Sequence, residues 1–324
     1  MSIMRKMMTV SLIAGGLLLG TAADVSAEIR QYTGVGEYVM SDFETPDVAK
    51  QRAKVRAEQN AQEQAGVFVN SFTKVNNYQV TEQEITVITS GVLSVQDTNY
   101  DVQPSAEGWV FRATVTANVD TDQIDKWFNM NDSDKAALIA RNQELQNALA
   151  EQERKIAELQ RQLNGQQGSS ADTTQLRAEL ASADNNFLAN QKIEAGDRFY
   201  FQGDYNSAIS SYTQAIELNP NNAMAYINRG ASYANLKEYN RAEADYSKLI
   251  ALEPNNVQAY IGRGASYICL QQYNKAAADL TKAIELDPSN AMAYYNRGIC
   301  YQAMGNTSRA QADYAKARAL GYNN

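Results

Sequence analysis

The chain has 324 residues, enough for more than one folded unit, and a formal net charge of −8. That acidity argues against a phosphate backbone as partner, and the lack of any histidine removes the commonest general base and metal ligand. Only two cysteines occur, Cys269 and Cys300, and neither sits in a CxxC, which argues against zinc or thioredoxin-like chemistry.

The first 27 residues read as a signal peptide. Arg5 and Lys6 supply the positive start, residues 7–19 are an apolar run, and Val25-Ser26-Ala27 is a small-residue cleavage site, with Ala23 as an alternative. The run is too short to span a bilayer. The expectation is an exported protein of the periplasm or cell envelope, without stable membrane insertion after cleavage.

Residues 28–128 read as a small α/β domain, a helix packed on an antiparallel sheet. Residues 109–119 alternate, with Phe111, Ala113, Val115, Ala117 and Val119 on one face. Residues 32–40 and 92–102 are also strand-like. Between them Thr45 is a plausible N-cap and Pro46 suits the first helical position. Ala49, Ala53, Ala57, Ala61 and Ala65 then form a smooth stripe that lets a helix lie close to a sheet. Gly34 and Gly36, the helix end at residues 57–77 and the stretch 88–102 give this segment a resemblance. It resembles the N-terminal domain of flagellar assembly protein T and related bacterial surface lipoproteins. The resemblance implies an envelope location, a binding or structural role and no catalytic residue.

Residues 133–164 read as a coiled coil. Leu138, Leu145 and Leu159 share one heptad position, with Gln152 the exception, and Asn142, Leu149, Ile156 and Leu163 share the other. A lone helix would leave these leucines in water, so the pattern predicts self-association as a homodimer, with a trimer as runner-up. Residues 165–172 follow as a linker and 173–186 as a helical lead-in.

From residue 187 the chain repeats. Pro220, Pro254 and Pro288 are 34 residues apart. Gly196, Gly230, Gly264 and Gly298 keep the same phase, as do Phe199, Tyr233, Tyr267 and Tyr301. Ala208, Ala242, Ala276 and Ala310 recur in the second helix of each unit, followed by Tyr212, Tyr246, Leu280 and Tyr314. The small residue lets two helices approach and the aromatic fills the space beside it. On these columns residues 187–324 are identified as four tetratricopeptide repeats: 187–220, 221–254, 255–288 and 289–322. The fold class expected is therefore multidomain α+β: a small α/β domain, a coiled-coil helix and an all-α repeat superhelix.

In this repeat family the first helices line a concave groove that holds peptides or protein segments. Their phase gives the groove columns Met224, Gln258 and Met292; Ile227, Ile261 and Tyr295; and Ala231, Ala265 and Ile299. The first unit carries Asn190, Ile193 and Asp197 there. Repeats that grip chaperone tails use a Lys, Arg and Asn clamp. Here Ile193, Asp197, Asn228, Gln258 and Gly262 occupy those places, so the clamp is missing and an apolar or amphipathic segment is the expected partner.

Arg229, Arg263 and Arg297 share one phase and Asp245, Asp279 and Asp313 another, while the first unit has Ala195 and Ser211 instead. Arginine and aspartate come and go together, which predicts an ion pair within each unit. Cys269 and Cys300 lie in the first helices of adjacent units and are candidates for a disulfide. No nucleophile, base, metal cluster or cofactor motif stands out. The reading is a non-enzymatic scaffold of the cell envelope, with a cell-surface or appendage component as the alternative.

Overall fold

A computed structural model describes residues 29–40, 44–75, 78–106, 108–165 and 170–322. The expected signal peptide, residues 1–27, lies outside them, as does residues 166–169 of the expected linker.

The N-terminal part is a three-stranded antiparallel sheet under helices. Strand β1 (Ile29–Val39) leads into helix α1 (Pro46–Val75), then α2 (Glu82–Val92), β2 (Leu93–Ser105), β3 (Gly108–Asp120) and α3 (Thr121–Phe128). The strand order is β1-β3-β2, with Tyr38 opposite Phe111 and Tyr100 opposite Ala113. Helix α1 lies on β1 and β3. The alanine stripe from Ala49 to Ala65 is fully buried against the sheet. Two glycines make that approach possible. A Cβ on Gly34 would stand 1.9 Å from the Ala57 carbonyl oxygen, and one on Gly36 would stand 2.2 Å from that of Ala53. The alternating residues Phe111 to Val119 close the core from β3, and Trp127 of α3 seals its end.

Helix α2 was hidden in the sequence. Its run of Ile, Thr and Val favours a strand. A capping box fixes it instead: Thr81 Oγ1 accepts from Glu84 N at 3.2 Å, while Thr81 N donates to Glu84 Oε2 at 2.8 Å.

Helix α4 (Asp132–Gly165) and helix α5 (Ser170–Gln202) form a long antiparallel hairpin. This corrects the expected oligomerisation seam. Leu145, Leu149, Ile156, Leu159 and Leu163 are buried against Leu180, Ala183 and Phe187 of α5. Leu138 packs instead on the N-terminal core, and Asn142 donates to Ser90 Oγ at 3.4 Å. The heptad stripe has a partner within its own chain, so the leucines that argued for a homodimer or trimer are not left in water. The lead-in at residues 173–186 is not a separate element, because α5 runs unbroken into the first repeat.

The array continues as α6 (Tyr205–Leu218), α7 (Ala223–Asn235), α8 (Tyr239–Leu252), α9 (Val257–Cys269), α10 (Tyr273–Leu286), α11 (Ala291–Ala303) and α12 (Thr307–Ala319). Asn222, Asn256 and Asn290 cap α7, α9 and α11, each accepting from the third amide of its helix at 3.0–3.1 Å. At each crossing the glycine faces the residue predicted to fill the gap: Gly196 meets Tyr212, Gly230 Tyr246, Gly264 Leu280 and Gly298 Tyr314. The N-terminal part docks on α5 through Arg198–Glu58 at 3.3 Å, Arg52–Asp184, and Phe201, which packs on Gly91 and Trp127.

Candidate functional site

The inner face of the array is built from α5, α7, α9 and α11. Its columns do not present the expected row of exposed apolar residues. Ile193 is fully buried and Ile261 is 5% exposed, packed with Leu280 and Cys300. Ile227 is half-buried beside Leu249, and Tyr295 leans on Tyr314 and Tyr322 with ring centroids 5.6 and 4.5 Å away. Ile261 reaches the following repeat at Cys300, and Ile227 packs on a cluster that includes Ala259 of the following repeat, whereas Tyr295 packs within the fourth. A first helix packed between its neighbours turns that position toward other side chains rather than toward solvent. Met292 at 47% exposure and Gln258 are open, while Met224, Ala231, Ala265 and Ile299 are half-buried. The groove surface is narrower and less apolar than its sequence suggests.

The first repeat differs most. Asp197, alone among Ala231, Ala265 and Ile299 in its column, gathers a polar cluster. Arg141 of α4 donates through Nε to Asp197 Oδ2 at 3.2 Å and through Nη2 to Tyr212 Oη at 2.8 Å. The Tyr212 hydroxyl donates to Asp197 Oδ1 at 2.6 Å, and Asn228 Nδ2 donates to the same oxygen at 3.0 Å. Burial opposes the Arg141 charge, but Asp197 and the tyrosines outweigh it and the net shift is upward. Burial and the neighbouring Asp197 push the Tyr212 hydroxyl well above its usual range. At two of the places where a carboxylate clamp would stand, Asp197 holds an arginine of this chain and Asn228 donates to that same aspartate. The signal was the odd charge in an otherwise apolar column; its partner, 56 residues upstream, had no signal.

The arginine column is in contact with the aspartate column in every later repeat. Arg229 Nε lies 2.8 Å from Asp245 Oδ2 and its Nη2 2.7 Å from Oδ1. Arg263 and Asp279 make both bonds at 2.8 Å; Arg297 and Asp313 make them at 2.8 and 2.9 Å. A third column escaped the sequence reading. The remaining nitrogen, Nη1, donates to a hydroxyl of the preceding repeat: Thr213 at 3.1 Å, Ser247 at 3.0 Å and Thr281 at 3.2 Å. Each guanidinium also lies 5.5–6.0 Å from two tyrosine ring centres, as Arg263 does between Tyr260 and Tyr267. One side chain thus ties its own two helices together and fastens them to the unit before.

The disulfide expectation is corrected. Cys269 is exposed at the end of α9, whereas Cys300 is buried inside α11 and donates to its own helix at the Asn296 carbonyl, 3.3 Å away. The two thiols point into different surroundings and are free. Among the described residues, no three His, Cys, Asp or Glu side chains gather as metal ligands. None of the helices there is long and apolar enough to cross a membrane.

Family models agree with the periodicity. A model described as TPR repeat matches residues 196–237 and 266–305, and models described as tetratricopeptide repeat match 223–256 and 292–320. The chain is 43% identical over 49 residues to Hsp70-Hsp90 organizing protein 3 of Arabidopsis thaliana, covering 15% of this chain and 9% of that one. It is 31% identical over 85 residues to Stress-induced-phosphoprotein 1 of Caenorhabditis elegans, covering 26% and 23%. The chain thus spans less than a quarter of the length of either relative. A solved structure, the first TPR of Spaghetti (RPAP3) bound to HSP90 peptide SRMEEVD, is 32% identical, covers 37% of this chain and 95% of its own, and has a TM-score of 0.37.

Proposed function

Starting from the fact that the helices between residues 196 and 320 are tetratricopeptide repeats, a protein-interaction module, we propose that this chain is an exported, non-enzymatic scaffold of the cell envelope. Its partner is a protein segment held along α7, α9 and α11. The carrying observation is the unequal use of the inner face. Arg141 occupies the first repeat, whereas Gln258 and Met292 of the later repeats remain open. One of the curated relatives is by name an organiser of Hsp70 and Hsp90, which supports a protein-binding role. Chaperone tails are not the partner proposed here, because Gln258 and Gly262 stand where the clamp would need cations. An amphipathic segment suits exposed methionine beside glutamine.

Crosslinking in intact cells, followed by pull-down, tests this reading. Gln258→Glu combined with Met292→Glu places two charges on open positions without touching the core. Loss of the crosslinked partner with an unchanged melt supports the groove. Retention of the partner overturns it.

A second reading has its own observation. Helix α1 leaves the outer end of the sheet uncovered, so Tyr100, Val102 and Trp109 are exposed together on β2 and β3. Such a patch suits a contact of the N-terminal domain with a surface or appendage structure. Protease accessibility in intact cells separates the two locations: cleavage from outside favours the surface, protection the periplasm.

A further inference from the structure

Away from the groove, a cleft of about 480 Å³ opens where α1, α4 and the end of β1 meet over α5. Four guanidiniums line it, those of Arg52 and Arg56 from α1 and of Arg154 and Arg161 from α4, against one carboxylate, Glu153. This is a cationic cleft in a chain with an excess of acid.

The four arginines are not equivalent. Arg52 is engaged with Glu44 at 3.1 Å, with the Tyr38 hydroxyl at 2.8 Å and with Asp184, yet its Nε is buried without an acceptor. Arg56 donates to the Glu37 carbonyl at 2.7 Å, and Arg161 to the Ala157 carbonyl of its own helix at 3.2 Å. Among the described residues, none of Arg56, Arg154 and Arg161 has a carboxylate partner. Arg229, Arg263 and Arg297 of the repeats do, and so do Arg141 and Arg198. Three arginines without an ion-pair partner therefore line one concavity that holds a single carboxylate, Glu153, so positive charge predominates there. Between them the wall is apolar and aromatic, formed by Val55, Ile156, Tyr38 and Phe187. The volume falls within the range of about 300–1,000 Å³ typical of small-molecule sites.

We infer that the cleft between α1 and α4 binds a small organic anion, a carboxylate or phosphate ester carrying an apolar or aromatic body. The anionic head lies among Arg56, Arg154 and Arg161, and the body packs on Ile156 and Phe187. The forked guanidinium geometry suits carboxylate and phosphate oxygens alike.

Calorimetric titration of the full chain at low ionic strength tests it with four probes: 1-naphthyl phosphate, 1-naphthoate, neutral 1-naphthol and inorganic phosphate. Both aromatic anions are expected to bind, and to bind more tightly than naphthol or phosphate. Their ranking identifies the preferred head group. Arg154 and Arg161 are exposed, so Arg154→Ala with Arg161→Ala keeps the fold, as a circular dichroism melt checks. The double variant should lose about tenfold or more in affinity. Arg318→Ala with Arg309→Ala on α12 removes the same charge elsewhere and should lose less than about twofold. Naphthol binding as tightly as naphthyl phosphate overturns the proposal. So does equal binding of inorganic phosphate, or an affinity in the cleft variant equal to that of the α12 variant.

Discussion

At the scale of the residue, the repeated arginine is the most informative side chain. Its two bonds to aspartate and one to a hydroxyl use a planar fork, which lysine cannot reproduce. Arg263→Ala leaves Asp279 nearly buried and unpaired, and should cost about 2–3 kcal/mol. In a denaturant double-mutant cycle with Asp279→Ala the coupling should exceed about 1 kcal/mol. Additive sub-kilocalorie effects would show that the contact carries no stability. Arginine and aspartate were legible because they appear and vanish together between units. The hydroxyl column was not, since Thr213, Ser247 and Thr281 look like ordinary surface residues until their partner's third nitrogen is placed. The cysteines give a second prediction. Burial pushes the Cys300 thiol up to about 11, whereas Cys269 is exposed. A thiol reagent at neutral pH should label Cys269 at once and Cys300 only on unfolding. Equal rates, or no free thiol in the unfolded non-reduced chain, would contradict this.

At the scale of the element, local periodicity carried most of the legible structure. The alanine stripe, the alternation in β3 and the 34-residue columns each specify a face without reference to distant residues. The glycines of β1 show how tight that specification is. Gly36→Ala drives a Cβ into the α1 backbone and should lower stability by more than about 2 kcal/mol. Gly66→Ala lies within α1, and its nearest neighbour would be 3.7 Å away, so it should stabilise by up to about 1 kcal/mol. Opposite signs in a thermal melt are expected; a loss at both positions would mean that the helix sits elsewhere. What was not legible was the partner of the heptad stripe. A heptad states that a seam exists, not which helix covers it. Leu176, Leu180, Ala183 and Phe187 carry the answering stripe in α5. They escaped notice because the first three lie in a stretch read as a short lead-in and Phe187 was counted as the start of the first repeat. Helix α2 escaped for another reason: its β-branched composition opposes the conformation that its cap and burial impose.

At the scale of the whole molecule, the hairpin makes one body of the N-terminal sheet and the repeat array. Light scattering at micromolar concentration should give the mass of a single chain. A dimer that disappears on Leu159→Asp would restore the seam to self-association. The Arg141–Asp197 pair is a lock between the hairpin and the array. Asp197→Ala leaves a half-buried guanidinium without its counter-charge and should cost about 2 kcal/mol. Amide exchange along the first half of α4 should then accelerate; unchanged protection would mean that the pair does not hold α4 in place. Helix α5 has a further consequence. Its 33 residues span about 50 Å, with the hairpin seam on one part and the first repeat on the other. The angular setting of the array is therefore written in residue count. One residue inserted near Asn190 would rotate everything beyond it by about 100° and advance it by about 1.5 Å. Natural variants of this helix should accordingly tolerate substitution far better than any change in length.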